Sequence, residues 1–285
     1  MNPEAPPQRT VQAGPLRWRV LQAGCGPSLL LLHGTGSSAQ SWSACLPLLS
    51  AHYRVLVPDL PGHGGSASWP DRQASLPRMA EALGQLVRQL GEPPSLVVGH
   101  SAGAAVMLQM ALSGQIAPRG LLALNGALMP LQGLPGLLFP PLARVMARQT
   151  WLPALVARHA SRPQALSRLI GGTGSRLSAE QVGHYRDLLT QAGHIGGALD
   201  MMAGWKLDAL LAALPRLRVP LWLAAGLADR AVPAWQAQHL AARLPTASFH
   251  PLPGLGHLAH EEAPGRVVAL VDALWDQVVR REIAP

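Results

Sequence analysis

The stretch Leu96–Leu108, LVVGHSAGAAVML, sets a histidine and a serine between two glycines inside an otherwise apolar run. The apolar residues before the serine are typical of a buried strand, and the small apolar residues after it predict a central helix. The residues GHSAG at 99–103 fit the pattern G-x-S-x-G at this junction. A tight turn there would expose the serine hydroxyl, while the glycines allow strand and helix to pack closely. Ser101 is therefore the candidate nucleophile.

Buried strands alternate with helices along most of the chain. Short apolar runs that end in turn residues predict parallel strands at 28–34, 53–62, 95–99, 120–126, 219–226 and 247–254. The alternation of apolar residues with arginine at 16–22 predicts a half-exposed strand in an antiparallel hairpin at a sheet edge. Helical periodicity at 76–90 and 264–279 completes the pattern. The sequence thus predicts an α/β fold whose central, mostly parallel sheet has helices on both faces.

The alternation stops between about residues 129 and 217. This part of the 285-residue chain holds helical segments rich in Leu, Ala, Met and Arg that are broken by prolines and by GGTG at 171–174. We predict one α/β core domain, formed by 1–128 and 211–285, with a helical insertion at 129–210. The insertion has eight basic and four acidic side chains, which would suit a large flat ligand with carboxylates, although solvated helix faces explain the arginines equally well.

A serine hydroxyl is a poor nucleophile near neutral pH, so it needs a base and an acid that orients the base. Behind a serine on such a turn, the acid and then the histidine follow in chain order. Asp229 comes just after a predicted buried strand, and His257 lies on a loop after the last strand. The alternative position for the acid, after the strand that ends near Leu124, holds Asn125 and no carboxylate. The predicted catalytic residues are therefore Ser101, Asp229 and His257.

An oxyanion formed by attack of Ser101 would need two backbone N–H donors. The Ala102 amide follows the nucleophile and starts the predicted helix. The turn His33-Gly34-Thr35-Gly36 follows an early strand, and its Thr35 N–H is the second predicted donor.

Other polar residues have simpler explanations. His260 with Glu261 and Glu262 matches neither spacing known for zinc proteases, and a helix start with acidic residues in its first turn explains it better. Asp59 and His63 are predicted to organise a loop. The sequence has no dinucleotide fingerprint, phosphate-cradling loop or transition-metal cluster, so neither a cofactor nor a metal is predicted.

Charge, cysteine content and the length of apolar runs favour some classes of protein over others. The net charge of +8 comes from scattered arginines and not from runs of like charge, so nucleic-acid binding has weak support. Anionic small molecules or an anionic membrane surface remain candidate partners. The two cysteines, Cys25 and Cys45, lack C-x-x-C spacing, and reduced thiols are expected. The N-terminus has no signal-peptide pattern, and no apolar run reaches the roughly 18 residues that span a bilayer. We expect a cytoplasmic protein without a transmembrane segment.

In combination, the motifs LLHGTG, PDLPGHGGS, GHSAG, GLADRAVP and GLGHLAHEE resemble the α/β-hydrolase superfamily over about 31–262. The resemblance implies the triad above and a helical cap over the active site at about 129–210. Dehalogenases and epoxide hydrolases of this fold use an aspartate nucleophile, which Ser101 disfavours, whereas perhydrolases share the serine triad. The predicted activity is hydrolysis of a carboxylic ester or related acyl compound.

A closer resemblance rests on HGTGSSAQSW, VVGHSAGAAV, LALNGAL, GGTGSRL and GALDMMAGW, which look like the magnesium-chelatase accessory proteins of bacteriochlorophyll biosynthesis. It implies a link to tetrapyrrole metabolism, with an apolar or tetrapyrrole ester as substrate and an association with magnesium chelatase. The alternative hypothesis is a non-catalytic tetrapyrrole-binding or chelatase accessory protein with a vestigial triad. In either case we expect the ligand pocket to be lined by Gly34, His100, Trp42, Trp151, Met201 and Trp205.

Overall fold

A computed structural model describes residues 8–130, 151–160 and 162–283. Eight strands form one sheet in the order β1-β2-β4-β3-β5-β6-β7-β8. The strands are β1 Gln8–Ala13, β2 Leu16–Ala23, β3 Ser28–Leu32, β4 Arg54–Pro58, β5 Leu96–His100, β6 Gly120–Leu124, β7 Leu221–Gly226 and β8 Ala247–Leu252. Strands β3 to β8 pair in parallel, while β1–β2 and β2–β4 are antiparallel. The predicted α/β fold with a mostly parallel sheet is confirmed.

Eleven α-helices lie in the described ranges, in chain order. They are α1 Leu46–Leu49, α2 Leu76–Leu90, α3 Ala102–Leu112, α4 Leu152–Ala160, α5 Pro163–Gly172, α6 Ala179–Leu189, α7 Ala192–Gly204, α8 Asp208–Ala213, α9 Trp235–Ala241, α10 Ala259–Glu262 and α11 Pro264–Ile283. Two 3₁₀ turns, Ala39–Trp42 and Leu214–Arg216, complete the regular structure of these ranges. Within these ranges, no helix is both long and apolar enough to cross a membrane.

Two hydrophobic clusters cover the two faces of the sheet because alternate residues of each strand point to opposite sides. On β3, Leu30 and Leu32 belong to the cluster that includes α2 and α3, while Leu29 and Leu31 belong to the cluster that includes α11. Every residue of β5, β6 and β7 is buried, as expected for parallel strands covered on both faces. Packing on both faces therefore holds the carboxyl ends of these strands, and the loops that follow them, in defined positions.

The predicted hairpin at the sheet edge is also confirmed. Strand β2 buries Leu16, Trp18 and Val20 and exposes Arg17, so its alternation follows the pleat. Its partner β1 forms the edge of the sheet.

Helices α4 to α7 lie between β6 and β7 in the chain, and no strand interrupts them in the described residues of this part. They share a small core of their own, formed by Ala157, Leu166, Ile170, Leu189, Ile195 and Leu199. The predicted insertion at 129–210 also includes 131–150 and Ser161, which lie outside the described residues.

Candidate active site

Ser101 sits on a strained turn between β5 and α3. Its backbone has φ 53° and ψ −120°, a conformation that residues other than glycine rarely adopt. A Cβ added at Gly99 would lie 2.5 Å from Ala104 Cα, and one added at Gly103 would lie 2.5 Å from the His33 carbonyl oxygen. Both glycines are therefore needed for strand and helix to pack around this serine.

The three residues predicted as a triad lie in one hydrogen-bonded row. His257 Nε2 is 3.0 Å from Ser101 Oγ, and His257 Nδ1 is 2.8 Å from Asp229 Oδ2. The loop after β7 carries Asp229 and the loop after β8 carries His257, so both approach Ser101 from the carboxyl edge of the parallel strands. Because the carboxylate can only accept, Nδ1 carries the imidazole proton and Nε2 is free to accept the serine proton.

The Asp229 carboxylate accepts four hydrogen bonds. Besides His257, the Asn125 amide donates to Oδ2 at 2.7 Å. The Ala231 and Val232 N–H groups donate to Oδ1, both at 2.8 Å. The sequence predicts Asn125 only as a position that lacks a carboxylate, whereas in the structure it is a donor to the acid. The sequence signal at this position is a polar residue directly after a buried strand, which does not identify its partner.

The turn that carries Thr35 packs against Ser101. A Cβ added at Gly34 would lie 2.9 Å from Ser101 Cβ. His33 Nδ1–H donates to the Gly34 carbonyl at 2.8 Å, and the Leu60 N–H donates to His33 Nε2 at 2.9 Å. Since a trans peptide directs its C=O and N–H to opposite sides, fixing the Gly34 carbonyl also fixes the direction of the Thr35 N–H.

Ala102 is the first residue of α3, where backbone N–H groups have no acceptor within the helix. Its N–H and that of Thr35 thus come from the two segments that border Ser101.

The residues predicted to line a pocket are spread over different environments. Met201 is buried, and its sulfur accepts a hydrogen bond from Thr35 Oγ1 at 3.2 Å. Trp205 is half-buried against the hydrophobic cluster that includes α2 and α3, and Trp151, before α4, is 59% exposed. Trp42 is fully buried in the cluster that includes α11, and its ring centroid is 4.4 Å from that of His260. The prediction that Trp42 lines a pocket finds no support in this placement.

His100 lies behind the row, where it supports His257. Its Nε2–H donates to the His257 carbonyl at 2.9 Å, and the two ring centroids are 4.8 Å apart. Burial, with smaller contributions from the neighbouring histidines, holds the pKa of His100 well below its usual value. Burial likewise lowers the pKa of His260 to about 3. Both rings are therefore neutral near pH 7 and do not repel a positive charge that forms on His257.

Asp59 ties loops together, as predicted. Its buried carboxylate accepts the Ala39 N–H at 2.7 Å and the Gly65 N–H at 2.8 Å, and it pairs with Arg19 at 2.7 Å. His63 lies nearby, and burial keeps its pKa well below the usual value. Within 8–130, 151–160 and 162–283, no three His, Cys, Asp or Glu side chains form a group that could hold a metal ion.

Glu261, which is buried on α10, and Tyr185, which is half-buried on α6, form a hydrogen-bonded pair. The Tyr185 hydroxyl donates to Glu261 Oε1 at 2.6 Å and lies 3.5 Å from Ser37 Oγ. Burial, together with the nearby Glu262 charge, raises the pKa of Glu261 to about 7, although the Tyr185 hydrogen bond lowers it. The folded chain therefore retains the Glu261 proton over a pH range in which the unfolded chain has released it.

Glu261→Gln should stabilise the protein progressively as the pH rises. A raised carboxyl pKa means that wild type loses stability between the ordinary carboxyl value and about pH 7, and the neutral amide removes this loss while Oε1 still accepts from Tyr185. The gain in the free energy of unfolding should grow from about 1 kcal/mol near pH 5 to about 3 kcal/mol near pH 8. Urea unfolding of both proteins at each pH measures it. The exposed Glu81→Gln should give no such trend, and a pH-independent difference for Glu261→Gln would contradict the prediction.

The chain belongs to the alpha/beta hydrolase family, whose model matches residues 29–270. Among solved structures, it is similar to an alpha/beta hydrolase fold protein from Burkholderia ambifaria, with 28% identity and a TM-score of 0.77 over 93% of this chain and 98% of that one. It has the fold of the epoxide hydrolase CorEH, with 22% identity and a TM-score of 0.80 over 96% of this chain and 100% of that one.

A curated relative is more similar in sequence. The magnesium-chelatase 30 kDa subunit of Rhodobacter capsulatus is 43% identical over 254 residues, which cover 88% of each chain. The resemblance to magnesium-chelatase accessory proteins is thereby confirmed.

Proposed function

We propose that the protein is a serine hydrolase that cleaves a carboxylic ester or a related acyl compound. The observation that carries the proposal is the continuous row from Ser101 Oγ through His257 to Asp229, with contacts of 3.0 and 2.8 Å. An imidazole in hydrogen-bond contact with a serine, and itself oriented by a carboxylate, is the arrangement that activates a hydroxyl.

In this mechanism Ser101 Oγ attacks the acyl carbon while its proton passes to His257 Nε2. Asp229 holds the imidazole orientation and stabilises the positive charge, and the Thr35 and Ala102 N–H groups hold the oxyanion. The tetrahedral intermediate then expels the leaving alcohol, which takes the proton from His257. Water, deprotonated by His257, attacks the acyl-enzyme, and the second intermediate releases the acid and returns the proton to Ser101.

We further propose that 129–210 is a helical cap that borders the substrate site. Support comes from α7, which packs on the loop after β4 and on the turn that carries Thr35. A Cβ at Gly197 would lie 2.1 Å from the Gly62 carbonyl oxygen, and the Gly64 N–H donates to His194 Nδ1 at 3.1 Å. The Thr35–Met201 contact brings the same helix to the proposed oxyanion turn.

The name of the Rhodobacter relative supports an association with magnesium chelatase. We further propose a tetrapyrrole ester as the substrate and the cytoplasm as the location. The same name also favours a second candidate function, a tetrapyrrole-binding accessory protein that does not use its serine. The two candidates differ in one measurable property, which is the reactivity of Ser101.

The deciding experiment is labelling with a fluorophosphonate, followed by an ester panel. We expect the probe to modify Ser101 and the enzyme to hydrolyse porphyrin methyl esters faster than short alkyl esters. If wild type does not react but protoporphyrin quenches its tryptophan fluorescence, the accessory function replaces the hydrolase. Reaction at Ser101 with turnover of simple esters alone would retain the hydrolase and remove the tetrapyrrole substrate.

A further inference from the structure

The turn at 171–176, which begins with the last two residues of α5, lies against both loops of the proposed triad. The single carbonyl oxygen of Thr173 accepts the Arg230 N–H and the His257 N–H, both at 3.2 Å. Arg230 directly follows Asp229 in the chain. One oxygen of the 171–176 turn therefore links the backbone of the acid loop to the backbone of the histidine loop.

The three backbones meet with no room for a side chain. Gly174 has φ 80°, and a Cβ there would lie 2.0 Å from the Ala228 carbonyl oxygen. A Cβ at Gly256 would lie 2.4 Å from the Gly174 carbonyl carbon. By contrast, a Cβ at Gly172 would have nothing within 4 Å. The contact thus depends on glycine at 174 and 256 and not at 172.

Glu262 and Ser175 add side-chain links at the same place. Glu262 Oε1 accepts the Gly256 N–H at 2.9 Å and Oε2 accepts the Arg176 N–H at 3.1 Å. Ser175 Oγ accepts the Leu258 N–H at 2.8 Å. The residues on both sides of His257 are therefore tied to the 171–176 turn.

We infer that the 171–176 turn is a positioning element, which sets the Asp229 loop and the His257 loop at the spacing that the hydrogen-bonded row requires. His257 is held on both sides of its backbone, by Thr173 through its N–H and by His100 through its carbonyl. Movement of helices α4 to α7 away from these loops breaks the two hydrogen bonds to the Thr173 carbonyl. The position of these helices is therefore coupled to the alignment of Ser101, His257 and Asp229. This inference rests on the proposed hydrolase function for its effect on rate.

Gly174→Ala should lower the rate of Ser101 labelling at saturating fluorophosphonate by about 10²-fold, the loss that a displacement of about 1 Å can cause. The probe concentration at half-saturation should change little because the turn does not contact Ser101. Amide hydrogen exchange should show lost protection at Arg230 and His257. The matched control, Gly172→Ala at the last residue of α5, should match wild type in rate and protection. Glu262→Gln, which puts an amide N–H₂ against an N–H donor, should slow labelling about 10-fold without straining the backbone.

Wild-type labelling by Gly174→Ala, or unchanged protection at both amides, would overturn the inference. If Gly174→Ala fails to fold, Glu262→Gln decides by the same two measurements. If wild type itself is not labelled, the hydrolase proposal fails alone, and the downfield proton resonance of His257 Nδ1–H tests the positioning. That resonance should persist in Gly172→Ala and weaken in Gly174→Ala and Glu262→Gln, and its persistence in all three would overturn the inference.

Discussion

Ser101→Ala is expected to abolish ester turnover, with a loss of about 10⁶-fold in kcat. The alanine removes the only atom in the row that can form the acyl-enzyme, while His257 and Asp229 keep their 2.8 Å contact. Ser101 already holds φ 53° with a Cβ in place, and alanine adds no atom to it, so the turn itself should persist. Steady-state kinetics on the best ester of the panel, together with a thermal unfolding curve, measures the effect.

The control for this variant is Ser113→Ala, at the exposed C-terminal end of the same helix α3. It should retain wild-type kcat and probe labelling. Activity near wild type in Ser101→Ala would count against the proposed mechanism, and labelling at another serine would assign the nucleophile elsewhere. A stable Ser101→Ala protein also serves to measure tetrapyrrole binding without turnover.

The sheet could be predicted because its strands carry their own signal. Continuous apolar runs mark the strands that are buried on both faces, and the alternation at 16–22 marks the one beside the edge. Ser101, Asp229 and His257 each follow a parallel strand, and the carboxyl ends of parallel strands lie at one edge of the sheet. Their proximity therefore follows from the topology.

Two features of the site could not be predicted because they depend on distant pairs. Asn125 contacts Asp229 across 104 residues, and its own neighbourhood shows only a polar residue after a strand. The GGTG run at 171–174 looks like a helix stop, and its contacts with Arg230 and His257 form only when three loops meet. Local patterns locate the elements, whereas the hydrogen bonds that fix a catalytic geometry are set by the packing of loops between them.

Asp229→Asn is expected to lower kcat by about 10⁴-fold, because the amide favours the wrong imidazole tautomer. All four partners of the carboxylate are donors: Asn125 and His257 on one oxygen, and the Ala231 and Val232 N–H groups on the other. Whichever way the amide turns, its N–H₂ faces two of them. If it faces His257, Nδ1 must accept, the proton moves to Nε2, and Nε2 no longer takes the proton of Ser101. If it faces the loop, two backbone donors lose their acceptor, and the melting temperature should fall as well. The exposed Asp187→Asn on α6 should leave both quantities unchanged. Near wild-type turnover in a folded Asp229→Asn protein would show that His257 does not depend on this carboxylate.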